Sequence, residues 1–478
     1  MNQPETASVI SSGTEVSSAE YFAQRQLKQG TVGWLLLIGL GVAYVISGDF
    51  AGWNFGIAQG GWGGMFIATA LAAIMYLCLC LSMSEMSTMM PTAGGGYSFA
   101  RAAFGPFGGY LTGTAILIEY AIAPAAIAVF IGGYCESLFG INGWMIYLAC
   151  YAIFMGIHLK GAGEALKIMF AITLVAAVAL VVFIVAMIPH FNAQNLFDIP
   201  IGTGVGASSF LPHGYLGIWV AVPFAIWFFL AVEGVPLAAE EAKDPAKSLP
   251  RGLIGAMLIL TAFAMLILFL GAGAAGASTL QKSGAPLVDA LVKVYGTNTW
   301  LATFVNFVGL AGLIASFFSI IYAYSRQIFA LSRAGYLPTS LSLTNKNKAP
   351  YLAIIIPGII GFLLSLTKEG DSLILIAVFG ATISYVLILL SHIKLRLSKP
   401  DMPRPYKTPG GIVTSSIALV LAVAAVVAGF VVNPKVWFIA AAIYVVFIAY
   451  FLFYSRYHLV KGTPEEEFAN IKAAEQEL

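Results

Sequence analysis

Twelve apolar stretches of bilayer-spanning length alternate with polar segments along the chain, near 31–58, 62–84, 106–135, 141–158, 165–188, 215–239, 252–276, 298–331, 351–366, 371–393, 411–432 and 436–455. This pattern predicts an all-α membrane protein of twelve transmembrane helices. Two of the stretches are interrupted. In the first, the run from Leu35 to Ile46 meets Ser47, Gly48 and Asp49, then Gly52, Trp53, Asn54 and Gly56. In the sixth, the run from Trp219 to Val232 meets Glu233, Gly234 and Pro236. A break in a spanning helix exposes unpaired backbone groups, which are tolerated only where protein or a cavity receives them. Spans 1 and 6 lie five apart, so they correspond in a five-plus-five inverted repeat whose broken helices frame a site near the midplane. The resulting division is a transport core over 31–396, with halves near 31–188 and 215–396, followed by helices 11 and 12 within 397–460.

Basic residues set the orientation. With the N-terminus inside, 20 of the 24 Lys and Arg fall on the cytoplasmic side, and only Lys282, Lys293, Lys368 and Lys435 fall outside. An odd number of spans would scramble this asymmetry. Residues 1–30 are polar and lack the apolar core of a cleavable signal, which predicts a cytoplasmic N-terminal segment. Residues 461–478, with Glu465, Glu466 and Glu467, read as a solvated cytoplasmic tail.

Composition narrows the class. The 478 residues are 59% hydrophobic and 10% charged, against about 25% charged in soluble domains, so a soluble fold is excluded. A net charge of +2 gives no ground for nucleic acid binding. Cys78, Cys80, Cys135 and Cys150 match neither a disulfide framework nor a zinc site and read as packing residues. The five histidines show no HExxH spacing. The GxGxxG string at 271–276 ends an apolar helix with no preceding strand, so it reads as helix packing or a loop entry. With no nucleophile elbow and no phosphate loop either, no enzyme, metal site or cofactor is predicted.

Acids inside spans each need a reason, because a carboxylate costs about 2.5–3.5 kcal/mol at a helix centre. Asp49, at the first break, would bind an ammonium, carry a proton, or cap the following half-helix. Glu119, mid-span and ahead of Pro124, awaits a cationic substrate, holds a proton, or bonds backbone freed by the proline. Glu233 follows Trp227, Phe228 and Phe229, an aromatic group able to cover an ammonium through cation-π attraction. Glu85, at the end of span 2, reads as a structural or gating anchor.

Four stretches carry a resemblance to a known family. They are Ile46-Ser47-Gly48-Asp49 with Gly52; Ser84-Glu85-Met86 with Pro91-Thr92-Ala93-Gly94-Gly95-Gly96-Tyr97; Glu233-Gly234 with Glu240-Glu241-Ala242-Lys243-Asp244-Pro245 and Pro250-Arg251; and Tyr324-Ser325-Arg326-Gln327 with Ser332-Arg333-Ala334-Gly335-Tyr336-Leu337-Pro338. In these the chain resembles the amino acid, polyamine and organocation permeases. In Gly48-Asp49-Phe50-Ala51-Gly52-Trp53-Asn54 and Ile118-Glu119-Tyr120-Ala121-Ile122-Ala123-Pro124 it looks most like the bacterial ethanolamine permeases.

The resemblance implies roles. Ser47, Gly48, Asp49, Phe50, Trp53, Asn54, Glu119, Tyr120, Trp227, Phe228, Val232 and Ser316 would form the substrate site, and Asp49, Glu119, Trp227 and Glu233 would serve proton coupling or gating. Where amino acid permeases hold a substrate carboxylate in a Gly-Ser-Gly turn, this chain reads Gly52-Trp53-Asn54, which implies a substrate without a carboxylate. The coupling lysine of span 5 has only Lys167 to match it, at that helix's cytoplasmic end. The expectation is a secondary transporter of a bacterial inner membrane, monomeric or homodimeric, importing ethanolamine by alternating access with proton coupling. Its ammonium would meet Glu119 or Asp49, and its hydroxyl Asn54, Tyr120 or Ser316. A polyamine or basic amino acid exchanger and a non-transporting amine receptor are the alternatives.

Overall fold

A computed structural model describes residues 9–11, 14–16, 27, 30, 32–296 and 300–460. The expected tail at 461–478 lies outside the described residues, as does most of the 1–30 segment. Within that segment β1 (Val9–Ser11) and β2 (Thr14–Val16) form an antiparallel pair, a departure from an all-helical chain.

The rest is helical. α1 (Trp34–Val45) leads into α2 (Ser47–Phe50) and, past a break, into α3 (Trp53–Met89). Gly61 interrupts α3 at φ 71°, so the corner between the first two predicted spans falls where only glycine sits without strain. α4 (Gly96–Phe139) turns a similar corner at Gly105, φ 77°. Pro124 lies inside α4 and the helix continues through it, so Gly105, and not the proline, marks the non-helical point. There follow α5 (Trp144–Leu159), α6 (Ala162–Met187) and α7 (Gly214–Trp227). A 3₁₀ segment at Val232–Glu241 follows α7 beyond the second break. α8 (Pro245–Leu266) runs on through a π turn at Ile267–Gly271, and α9 (Pro286–Tyr295) is a short helix with one face buried. α10 (Trp300–Arg333), α11 (Tyr351–Ser365), α12 (Gly370–Ser398), α13 (Ile412–Val432) and α14 (Pro434–Phe453) complete the chain.

Among the described residues nine helices are long and apolar enough to cross a membrane, and α1, α5 and α11 are shorter apolar helices. Burial sorts them. The most apolar window is 89% buried in α4 and 72% in α10 and α12, but only 33% in α13 and 22% in α14. The centre is therefore built on α4, α10, α12 and the broken helices, while α13 and α14 present apolar side chains such as Val420, Val446 and Phe453 outward, as lipid-facing helices do. The glycines of the 271–276 string serve close packing, since a side chain on Gly273 would collide with the Phe191 ring.

Candidate functional site

Neither break falls where the residue pattern suggests: the first comes later in the chain, at Ala51–Gly52, and the second earlier, at Phe228–Ala231. Ser47, Gly48 and Asp49 remain helical, with Asp49 N donating to Ile46 O at 3.1 Å and Ala51 N to Ser47 O at 3.0 Å. The chain leaves the helix at Ala51, which is extended, and Gly52, at φ 101°. Small polar residues do not by themselves open a helix whose neighbours keep their hydrogen bonds; the turn needs a residue tolerant of positive φ. Likewise Glu233 does not mark the second break. The chain turns over Phe228–Ala231, with Ala231 held at φ 78°, a conformation that costs an alanine about 1–2 kcal/mol.

The two breaks are built against each other. Trp227 Nε1 donates to the Ala51 carbonyl at 3.0 Å, and Trp53 stacks on Phe228 with ring centroids 6.1 Å apart. A side-chain carbon on Gly48 would lie 2.5 Å from the Trp227 carbonyl oxygen, so the backbones touch there. Phe50 fits against Gly309 and Gly312 of α10, and its carbonyl accepts from Tyr134 Oη at 2.9 Å. Val232 opens the 3₁₀ segment and packs towards Gly41.

Asn54 and Ser316 are both engaged. Asn54 Oδ1 accepts from the Gly52 amide at 3.1 Å, while its Nδ2 donates to the Ser283 carbonyl at 2.8 Å. Ser316 donates to the Tyr44 carbonyl at 2.6 Å and accepts from Ser47 Oγ at 2.8 Å. Asp49 does not cap the following half-helix: its backbone carbonyl accepts from Trp53 Nε1, but neither carboxyl oxygen has a hydrogen-bond partner. The Gly52 amide at the turn is instead taken by Asn54, which stands two residues beyond it and so reaches back.

Glu119 and Glu233 adjoin one another, fully buried, and Tyr385 lies against both. This brings together two acids that the residue pattern treats separately, and leaves Asp49 apart from them. A side chain on Gly380 would sit 2.8 Å from the Glu119 amide, so α12 approaches α4 backbone to backbone, and Tyr385 follows one and a half turns on. Tyr120 Oη donates to Glu233 Oε1 at 3.3 Å. Both oxygens of Glu119 and the second of Glu233 have no hydrogen-bond partner, and among the described residues neither acid forms an ion pair. Glu119 therefore makes no bond to backbone near Pro124. Two adjoining acids in a medium of low dielectric need positive charge between them, whether a proton or an ammonium. Tyr76 Oη and Tyr385 Oη share a 2.8 Å hydrogen bond beside this pair. Neither tyrosine stands out in the sequence, because a single tyrosine in an apolar span reads as packing.

The motif residues beyond the second break form ion pairs at one end of the bundle. Glu241 pairs with Arg326 at 2.9 Å and accepts from Tyr322 Oη at 2.9 Å; Arg326 and Glu241 are 2% and 1% exposed. Glu240 pairs with Arg333 at 2.6 Å and accepts from the Ala93 amide at 3.0 Å, joining the 3₁₀ segment to the glycine-rich loop before α4. Glu85 is an anchor as expected: Arg396, Arg404 and the Thr408 amide all donate to it within 2.9 Å.

Known proteins are similar to this chain in sequence over most of its length. Residues 6–453 match the family model described as amino acid permease. The branched-chain amino acid permease BcaP of Bacillus subtilis (strain 168) is 27% identical over 415 residues, spanning 80% of this chain and 84% of the relative. The methylthioribose transporter of the same organism is 26% identical over 391 residues, spanning 78% and 81%. An uncharacterised transporter of Rhizobium meliloti (strain 1021) is 27% identical over 392 residues, spanning 80% and 83%. A family match across nearly the whole chain thus meets a bundle of apolar helices broken twice around buried acids, and this chain belongs to the amino acid permease family of multi-pass membrane transporters.

Proposed function

We propose that the chain imports ethanolamine or a close amino alcohol by alternating access, with proton coupling. The observation that carries this reading is the Glu119–Glu233 pair, buried together with no ion-pair partner among the described residues. An ammonium entering between them would supply that charge, and a proton would supply it when the site is empty. The first break argues against a carboxylate on the substrate, since Asn54 already occupies the Gly52 amide that an anion would use.

The wider frame of the proposal is twelve spans, a five-plus-five inverted repeat over 31–396, and both termini in the cytoplasm of a bacterium. The asymmetry of basic residues supports that orientation, and it puts the Glu240–Arg333 and Glu241–Arg326 pairs on the inner side. With its site residues shielded from solvent, the molecule resembles one stage of an alternating-access cycle.

The relatives favour a second reading. A permease named for branched-chain amino acids covers most of this chain, and the same acid pair would also accept the ammonium of a zwitterion. Uptake of labelled ethanolamine into proteoliposomes separates the two. Saturable uptake, outcompeted by unlabelled ethanolamine but not by leucine or putrescine, is expected. Absence of saturable uptake, or strong competition by leucine, overturns the amine reading.

A further inference from the structure

We propose that Tyr385, held by Tyr76, recognises the substrate's hydroxyl and so separates an amino alcohol from an alkyl amine of equal charge; the assignment rests on the amine reading above. Hydrogen-bond accounting leads to it. Asn54 spends its oxygen on Gly52 and its amide on Ser283. Ser316 donates to Tyr44 and accepts from Ser47. Tyr120 spends its single O–H on Glu233. The groups first expected to receive a hydroxyl are thus committed to the protein.

The Tyr76–Tyr385 pair is differently placed. Each phenol has one donor and spare acceptor capacity, and one hydrogen bond joins the two. One O–H of the pair is therefore left over. If Tyr76 donates to Tyr385, the remaining O–H is that of Tyr385; it turns to Glu119 or Glu233, which it lies against, while the site is empty, and is released when an ammonium takes those acids. An ammonium bound at those acids carries its hydroxyl two carbons away, within the reach of Tyr385. Packing fixes the pair: the Tyr76 ring meets Tyr385 edge-on at 5.2 Å and contacts Phe229 at 5.5 Å. A site with a fixed, buried donor discriminates against the analogue that leaves it unmatched.

The test compares ethanolamine and ethylamine as competitors of labelled ethanolamine in proteoliposomes. Wild type should prefer ethanolamine. Tyr385→Phe should weaken ethanolamine about tenfold, the worth of one hydrogen bond, and leave ethylamine unchanged, so that the preference collapses. Tyr76→Phe keeps the Tyr385 hydroxyl but frees it from its partner, and should lower the preference by a smaller factor; it also serves if Tyr385→Phe does not fold. Equal weakening of both amines by the two variants, or an unchanged preference, overturns the proposal. So does a preference lost in Tyr44→Phe but kept in Tyr385→Phe, since the Tyr44 hydroxyl is buried without a hydrogen-bond partner and its ring lies with Tyr120 beside Gly234. A wild type that takes up neither amine overturns the amine reading itself, a different outcome from any of these.

Discussion

Trp227 donates its indole N–H to the carbonyl of Ala51, 3.0 Å away, and through that bond each helix break completes the other. The carbonyl belongs to an extended residue with no helical partner, and the indole comes from the last turn before the second break. A phenylalanine at 227 would keep a six-membered aromatic ring and lose the five-membered ring that carries the donor. Trp227→Phe is expected to destabilise the protein by about 1–3 kcal/mol, the cost of an orphaned buried carbonyl. Thermal unfolding in detergent measures it, and Trp219→Phe, on an exposed face of the same helix, should leave the midpoint unmoved.

Gly48 gives a second test of the same contact. A methyl group there would press on the Trp227 backbone, which cannot turn aside as a side chain would. Gly48→Ala should cost about 1–3 kcal/mol by overpacking, whereas Gly33→Ala, with nothing within 4 Å of its new carbon, should be close to neutral in the same assay.

The acids are expected to separate in function. Glu119→Gln removes one charge of the adjoining pair and should reduce ethanolamine uptake about thirtyfold, near 2 kcal/mol, at equal membrane content. Asp49→Asn should leave the apparent affinity for ethanolamine close to wild type, because Asp49 stands apart from that pair. A larger loss of affinity from Asp49→Asn than from Glu119→Gln would move the ammonium to the first break.

The Glu241–Arg326 pair lends itself to a double-mutant cycle. Glu241→Gln leaves Arg326 buried and uncompensated, and Arg326→Met does the same to Glu241; each should destabilise by about 3–5 kcal/mol. The double variant should be more stable than the sum of the two losses predicts. Strict additivity in thermal unfolding would mean that the ion pair is not the unit holding this end together.

Much of this was legible in the residue pattern. Long apolar runs announce spanning helices because the bilayer sets their length, and the positions of Glu119, Trp227 and Glu233 stand out against an apolar background. The exact breaks were not legible. Ser47-Gly48-Asp49 looks like an interruption, yet helix propensity is weak beside intact hydrogen bonds, and the turn comes at Gly52, whose φ is positive, and not at Gly48. Nor was the partnership of Glu119 and Glu233 legible, because it depends on how closely α12 and the 3₁₀ segment approach α4. Tyr76 and Tyr385 come together from positions 309 residues apart in the chain, a distance that no local pattern bridges.

Asn54 serves two masters with one planar group, its oxygen on the Gly52 amide and its nitrogen on the Ser283 carbonyl. Such an amide acts as a connecting rod: it cannot rotate at one end and stay still at the other. The surface segment ahead of α9 and the kink inside the membrane are therefore geared together. A fluorophore on that segment would report, from the water side, each change in the torsion of Gly52.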